Sequence, residues 1–192
     1  MRTPATPKQR ERGMEGTEIS AEDFARYTGV SGEPKVAPTA LERDALRRFV
    51  QAIMDRDPLY YDDAYAMGTK YGGLVAPPLY PVHAFRPLPG GADPLDLLHD
   101  DPDADGSGGS DGVYFGLKPI PSPFKRLLNG GNEIEFYRCL AVGERCIAHA
   151  RFADVTLKQG KSGAMLLTTV ETRFTTEDGE LLVINRQTLI WR

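Results

Sequence analysis

The chain has 192 residues, of which 41% are hydrophobic and 26% charged, and its 27 acidic and 23 basic residues give a formal net charge of -4. These proportions fit one soluble globular domain, with or without extensions, and exclude a wholly disordered chain or a bundle of membrane helices. The negative sum and the scattered Lys and Arg also argue against a general attraction for phosphate backbones, so nucleic acid is not an expected partner.

No run reaches the roughly eighteen apolar residues that span a bilayer. The opening MRTPATPKQRERG lacks the apolar segment of a secretory signal, which makes the cytoplasm the expected compartment. Residues 1–18 read as a mobile arm and 19–192 as one domain. Cys139 and Cys146 have six residues between them, which fits neither a CxxC metal site nor a disulfide framework, so both read as small reduced core residues.

In chain order, SAEDFARYT begins with an N-cap serine and early acids, which predicts a short helix over 20–28 ended near Gly29. From Thr39, apolar residues at Leu41, Ala45, Leu46, Phe49, Val50, Ile53 and Met54 mark one face of a longer helix. That helix must stop before Pro58, because the residue preceding a proline is pushed out of the α region. Residues 62–67 suit a further turn or two, and in LVAPPLYPVHAF Pro81 limits any helix to a short or kinked one. The segment HDDPDADGSGGSDG, within an acidic insertion at about 86–112, reads as a mobile surface loop. Asp101, Asp103, Asp105 and Gly106 match the first half of an EF-hand loop, but Gly112 stands where the bidentate Glu belongs, so calcium is not expected.

After Tyr114 the composition turns to β-branched and aromatic residues, and strands are predicted in VYFGLK, NEIEFYRCL, RCIAHARFADVTL, AMLLTTVETRFTT and ELLVINRQTLIW. NGG, QGKSG and EDG are read as the separating turns of an antiparallel meander. The apolar parity is even from Cys146 to Phe152 but odd at Val155 and Leu157, so a β-bulge is expected near Ala153 or Asp154. ELLVINRQTLIW is apolar on both parities, which predicts burial on both faces or in an interface, and a monomer is not expected. Helices first and long strands afterwards indicate an α+β domain with a helix packed on one face of a curled sheet.

The order of DxxPLYxDxxYA, YGGxxAPP, the acidic insertion, NGGxEIEFYRCLAVGE and the closing strands resembles the MaoC-like, FAS1-like dehydratase domains over about residues 38–83 and 124–192. The resemblance implies a hotdog fold, in which a long curled antiparallel sheet wraps a central helix near residues 77–85, here with an N-terminal helical extension. It also implies hydration of trans-2-enoyl thioesters of coenzyme A or acyl carrier protein, or the reverse dehydration. The thioester carrier is part of the substrate, so neither a separate cofactor nor a metal is implied. The partner implied is a second hotdog, identical or not.

The family motif G-D-x-N-P-x-H supplies an Asp and a His that hold and activate one water, while N–H groups at the start of the central helix polarise the thioester carbonyl. On this chain it becomes Met54-Asp55-Arg56-Asp57-Pro58-Leu59-Tyr60. Asp55 matches the catalytic acid and Pro58 the turn proline, while Asp57 replaces Asn and Tyr60 replaces His. A phenol with its ordinary pKa near 10 is a poor base at neutral pH, whereas His titrates near it.

Asp57, Tyr61, Gly73, Ala76, Pro77, Tyr80 and His83 are the further residues expected to contact substrate. Each has a plainer reading: Asp55 and Asp57 as turn residues, the tyrosines as core or interface aromatics, the glycines as turn or close-packing positions, and His83, His99 and His149 as ordinary histidines. Arg126, Arg138 and Arg186 are candidates for coenzyme A phosphates or simply solvated. Four functions are compatible: the accessory subunit of a heteromeric hydratase, a self-sufficient homodimeric hydratase using Asp55, a thioester-binding scaffold, and a hotdog thioesterase.

Overall fold

The structure is a computed structural model, and it describes residues 20–86, 88, 90, 114–124, 126–160 and 163–192. The N-terminal arm, the loop with the half EF-hand pattern, and His99 lie outside the described residues. Strands β1 (Lys35–Val36), β2 (Leu127–Phe136), β3 (Cys146–Gly160), β4 (Gly163–Thr176) and β5 (Leu181–Trp191) form one antiparallel sheet in the order β1-β3-β4-β5-β2.

β4 lies at the centre of the sheet, and the core face of its pleat buries Leu166, Thr168, Val170, Thr172, Phe174 and Thr176. In β3 the expected bulge is present: Phe152 pairs with Val170 and Asp154 with Thr169, which leaves Ala153 unpaired. The extra residue lets both Phe152 and Val155 turn inward, as the switch of parity requires. In β5 the run Leu182–Asn185 is buried at every position, which bears out the reading from its double parity.

Three sequence expectations need correction. The meander holds for β3, β4 and β5, but β2 lies on the far side of β5, so residues 137–145 must cross to the opposite side of the sheet. That crossing is stapled to the chain before the central helix: Leu140 accepts from the Ala76 N–H at 2.8 Å, and the Val142 N–H donates to Leu74 at 3.0 Å. Secondly, NGG is not a separator, because β2 runs through it and Gly130 is the residue skipped where the register shifts. A glycine allows this because a Cβ there would stand 3.0 Å from a Thr188 methyl and 3.1 Å from its carbonyl oxygen.

Thirdly, the described part of VYFGLK, residues 114–118, is not a strand. Phe115 at φ 39° and Gly116 at φ 89° form a tight turn closed by the Leu117 N–H on the Tyr114 carbonyl at 2.8 Å. Its apolar composition reflects burial alone: Phe115 packs edge-on against both Phe85 and Phe174 at 5.2 Å.

The helices follow their local chemistry. α1 (Ala21–Ala25) starts in a reciprocal Ser20–Asp23 capping box. α2 (Arg43–Ile53) begins later than the apolar pattern from Thr39, and it buries Leu46 and Val50 but leaves Ile53 and Met54 exposed. α3 (Asp63–Met67) is capped by Asp62, and α4 (Tyr80–His83) is the short remnant that Pro77, Pro78 and Pro81 permit at the central-helix position. No described helix is long and apolar enough to cross a membrane.

Candidate functional site

The site is built on the turn that ends α2. Met54 closes the helix in the left-handed region at φ 56°, with its N–H on Gln51 and Val50 and the Asp55 N–H on Val50 at 3.2 Å. A glycine is the usual residue for this cap, and the family motif has one there. Met54 is 83% exposed, so no packing in the chain offsets the strain of its backbone.

After this cap the two aspartates hold the turn itself. Asp55 Oδ1 accepts from the Asp57 N–H at 3.0 Å, and Asp57 Oδ1 accepts from the Leu59 N–H at 2.9 Å as N-cap of the 3-10 turn Pro58–Tyr60. Both side chains are exposed. Tyr61, also exposed, donates its hydroxyl to the Arg56 carbonyl at 3.1 Å and so braces the same turn.

Tyr60 occupies the motif histidine position and is half-buried against the core. Burial pushes its hydroxyl up to about 12, helped by the negative charges of Asp55 and Asp57 and by Cys139 and Tyr71. At neutral pH the phenol therefore stays protonated, a state that can donate a hydrogen bond but is a poor base. The charges of Asp55, Asp57, Cys139 and Tyr71 all reach Tyr60.

The remaining expected contacts divide. Tyr80 packs edge-on against Phe49 at 5.2 Å and His83 against the same ring at 5.1 Å, a group with no described hydrogen bond or ring contact to Tyr60. Partial burial, followed by the Arg86 charge, lowers the His83 pKa, so its ring is neutral at neutral pH. Gly73 has open space around a built Cβ, so close packing does not require glycine there. Ala76 is fully buried and its N–H is committed to Leu140, while Pro77 and Pro78 have no N–H. Ala76, Pro77 and Pro78, which precede the N-cap Leu79 of α4, therefore offer no donor to a thioester oxygen, and the Leu79 N–H is the first that can.

The sequence reading missed a cavity whose lining includes Tyr71 and Cys139, two of the groups whose charges reach Tyr60. It measures about 430 Å³ and is lined by Lys70, Tyr71, Pro78, Phe136, Tyr137, Arg138 and Cys139. The half-exposed pair Phe136 and Tyr137 at the end of β2 was the available signal, because a strand of the core does not leave two aromatics in water.

Arg138 forms an ion pair with Glu144 and another with Glu180, and Arg186 is held by Glu171, Glu133 and Glu135. Neither is a solvated cation awaiting a phosphate. Arg186 belongs to a row that crosses the sheet from β3 to β2, Arg151–Glu171–Arg186–Glu133, on the face opposite the core. Among the described residues no three His, Cys, Asp or Glu side chains gather as a metal set.

Residues 27–185 match the model of the FAS1-like, dehydratase domain region. The chain belongs to the FAS1-like dehydratase family. A curated relative, the UPF0336 protein of Saccharopolyspora erythraea, is 25% identical over 150 residues, which span 78% of this chain and 80% of that one. A shorter match of 46 residues, 39% identical, joins 24% of this chain to 15% of the 3-oxo-4,17-pregnadiene-20-carboxyl-CoA hydratase alpha subunit of Mycobacterium tuberculosis.

Among solved structures, the ChsH1-ChsH2 complex of Mycobacterium tuberculosis superposes with TM-score 0.63 at 24% identity, covering 88% of each chain. The HadBC (3R)-hydroxyacyl-ACP dehydratase complex of the same organism gives 0.54 at 17% identity, with coverage of 85% and 98%. The (R)-hydratase of A. caviae gives 0.50 at 18%, with coverage of 83% and 95%. These neighbours make the fold a hotdog.

Proposed function

We propose that this chain is the accessory, substrate-binding hotdog of a heteromeric enoyl-thioester hydratase or dehydratase, and that a partner hotdog supplies the Asp/His pair. The observation that carries the reading is Tyr60: the position of the proton-transferring histidine holds a phenol pushed up to about 12. Two neighbouring features support it. Asp55 and Asp57 spend carboxylate oxygens on their own turn, and the three positions before the N-cap of the central helix, Ala76, Pro77 and Pro78, offer no amide donor where enolate charge would develop. Two of the structural neighbours are themselves two-chain complexes by description.

In this reading the chain binds thioester and shapes the acyl site without moving the proton. Tyr60 donates a hydrogen bond to substrate or to an ordered water, and the cavity between Lys70–Tyr71 and Phe136–Tyr137 receives part of the thioester where the two hotdogs meet. The test is hydration of crotonyl-CoA by the purified chain, alone and co-purified with a hotdog chain that has an intact D-x-x-x-x-H motif. The expected result is turnover only in the mixture. Comparable turnover by this chain alone, or release of free thiol instead of hydration, would sink the proposal.

A further inference from the structure

We infer that the open edge of β2 selects a non-identical hotdog partner, one whose facing strand carries Lys or Arg on the outer side of the sheet. This rests on the accessory-subunit reading and names what kind of partner the surface fits.

The sheet has two edges of very different character. β1 is two residues long and follows Pro34, whereas β2 presents ten residues, and Leu128 is 41%, Phe136 53% and the adjoining Tyr137 54% exposed. A long edge that no other described strand covers, with exposed apolar side chains, is a template for another strand.

The backbone fixes which residues such a strand meets. Arg126 and Arg192 exchange both of their hydrogen bonds, and the Tyr137 N–H donates to Leu182. With Gly130 skipped between these points, Glu133 and Glu135 turn their backbone groups toward β5, and Asn132, Ile134 and Phe136 turn theirs to the open edge. A second β2 that pairs antiparallel about a two-fold axis must use those three outward residues. Centred on Ile134, the pairing sets Glu133 opposite Glu135 of the copy, twice; shifted by two residues either way, each pairing sets one glutamate opposite itself.

These glutamates fall in the non-hydrogen-bonded pairs, where opposing side chains are closest and like charges destabilise. Among the described residues, the cations that act on these glutamates are Arg186 and, further off, Arg173. Arg186 already divides its guanidinium among Glu171, Glu135 and Glu133, and Arg173 acts on Glu135 only as a more distant charge. Glu133 is 76% exposed at its side chain and open to a cation from across the edge. Self-pairing is penalised, while a basic partner strand is favoured by the same geometry.

The test uses the full chain alone, with no partner, thioester or turnover, so its failure is separate from failure of the hydratase reading. Sedimentation velocity compares the wild type, Glu133→Gln/Glu135→Gln, Glu133→Lys/Glu135→Lys, and an equimolar mixture of the wild type with the Lys variant. Two relieved like-charge pairs predict self-association about two- to thirtyfold stronger for the Gln variant than for wild type. The wild type and the Lys variant should associate better mixed than apart, with the gain falling at high salt. Circular dichroism checks folding, and should the Lys variant misfold beside Arg186, the near-isosteric Gln variant still decides. A wild-type homodimer as tight as that of the Gln variant at low salt overturns the inference.

Discussion

Replacing Glu171 with Gln tests the account of how the sheet is held. Glu171 is 6% exposed, yet it sits on the face opposite the core, covered by Arg151 at 2.9 Å and Arg186 at 2.7 Å. Burial alone would raise its carboxyl, but the hydrogen bonds and charges of the two arginines outweigh it and hold the group below its ordinary value of 4.5. Gln keeps the volume, loses the charge, and turns an NH₂ toward one arginine donor.

Each charge-assisted hydrogen bond contributes about 1.5–3 kcal/mol, and an unpaired buried group costs up to about 3 kcal/mol. The side chain of Arg151 is 50% exposed and that of Arg186 29%, so water recovers part of the loss. The expected cost is about 2 kcal/mol at pH 7, a fall in Tm of roughly 4–8 °C for a chain of this size. Urea unfolding and calorimetry measure it.

Because the folded-state value is depressed, the contribution is fully present above the unfolded value near 4.5 and fades as pH falls through the folded value. The gap between wild type and Glu171→Gln should therefore narrow as the pH is taken below that range. A cost under about 0.5 kcal/mol at pH 7, the scale of an ordinary surface substitution, or a gap that widens in acid would refute the reasoning.

Met54→Gly should stabilise the chain by about 0.5–1 kcal/mol, because relief of the left-handed cap exceeds the entropy of an added glycine; a lower urea midpoint would contradict that. Gly116→Ala should cost at least about 2 kcal/mol, since φ is 89° and a Cβ would lie 2.3 Å from the Glu33 carbonyl oxygen; a variant as stable as wild type would show the turn to be misplaced. Tyr60→His, assayed alone on crotonyl-CoA, should gain less than about tenfold, whereas a working acid–base pair supplies roughly 10²–10⁴. The reason is that Asp55 remains tied to its turn and residues 76–78 still offer no donor.

What was legible in the sequence follows from which signals are local. The bulge at Ala153 could be read because parity along a strand directly records which face is buried, and Ser20, Asp57 and Asp62 cap the turns their chemistry suggests. Position in the sheet is not a local property. Nothing in NEIEFYRCL says that β2 pairs with β5 and not with β3, and the glycines of NGG have the same composition in a bulge as in a turn. Tyr114, Phe115 and Leu117 misled because aromatic burial in a turn resembles β-propensity. At the site, the departure at Tyr60 was visible in the motif, but the cavity that Tyr71 and Cys139 line depends on the crossing of residues 137–145, which only the fold supplies.

The most direct test of the accessory-subunit reading divides the proton chemistry between the two chains of a reconstituted complex. Substituting the partner's motif Asp or His should abolish hydration, while Asp55→Ala and Tyr60→Phe in this chain should leave kcat within about tenfold, with any loss appearing in KM. Loss of kcat by about 10²-fold or more from Asp55→Ala or Tyr60→Phe, with the partner's substitutions tolerated, would contradict it.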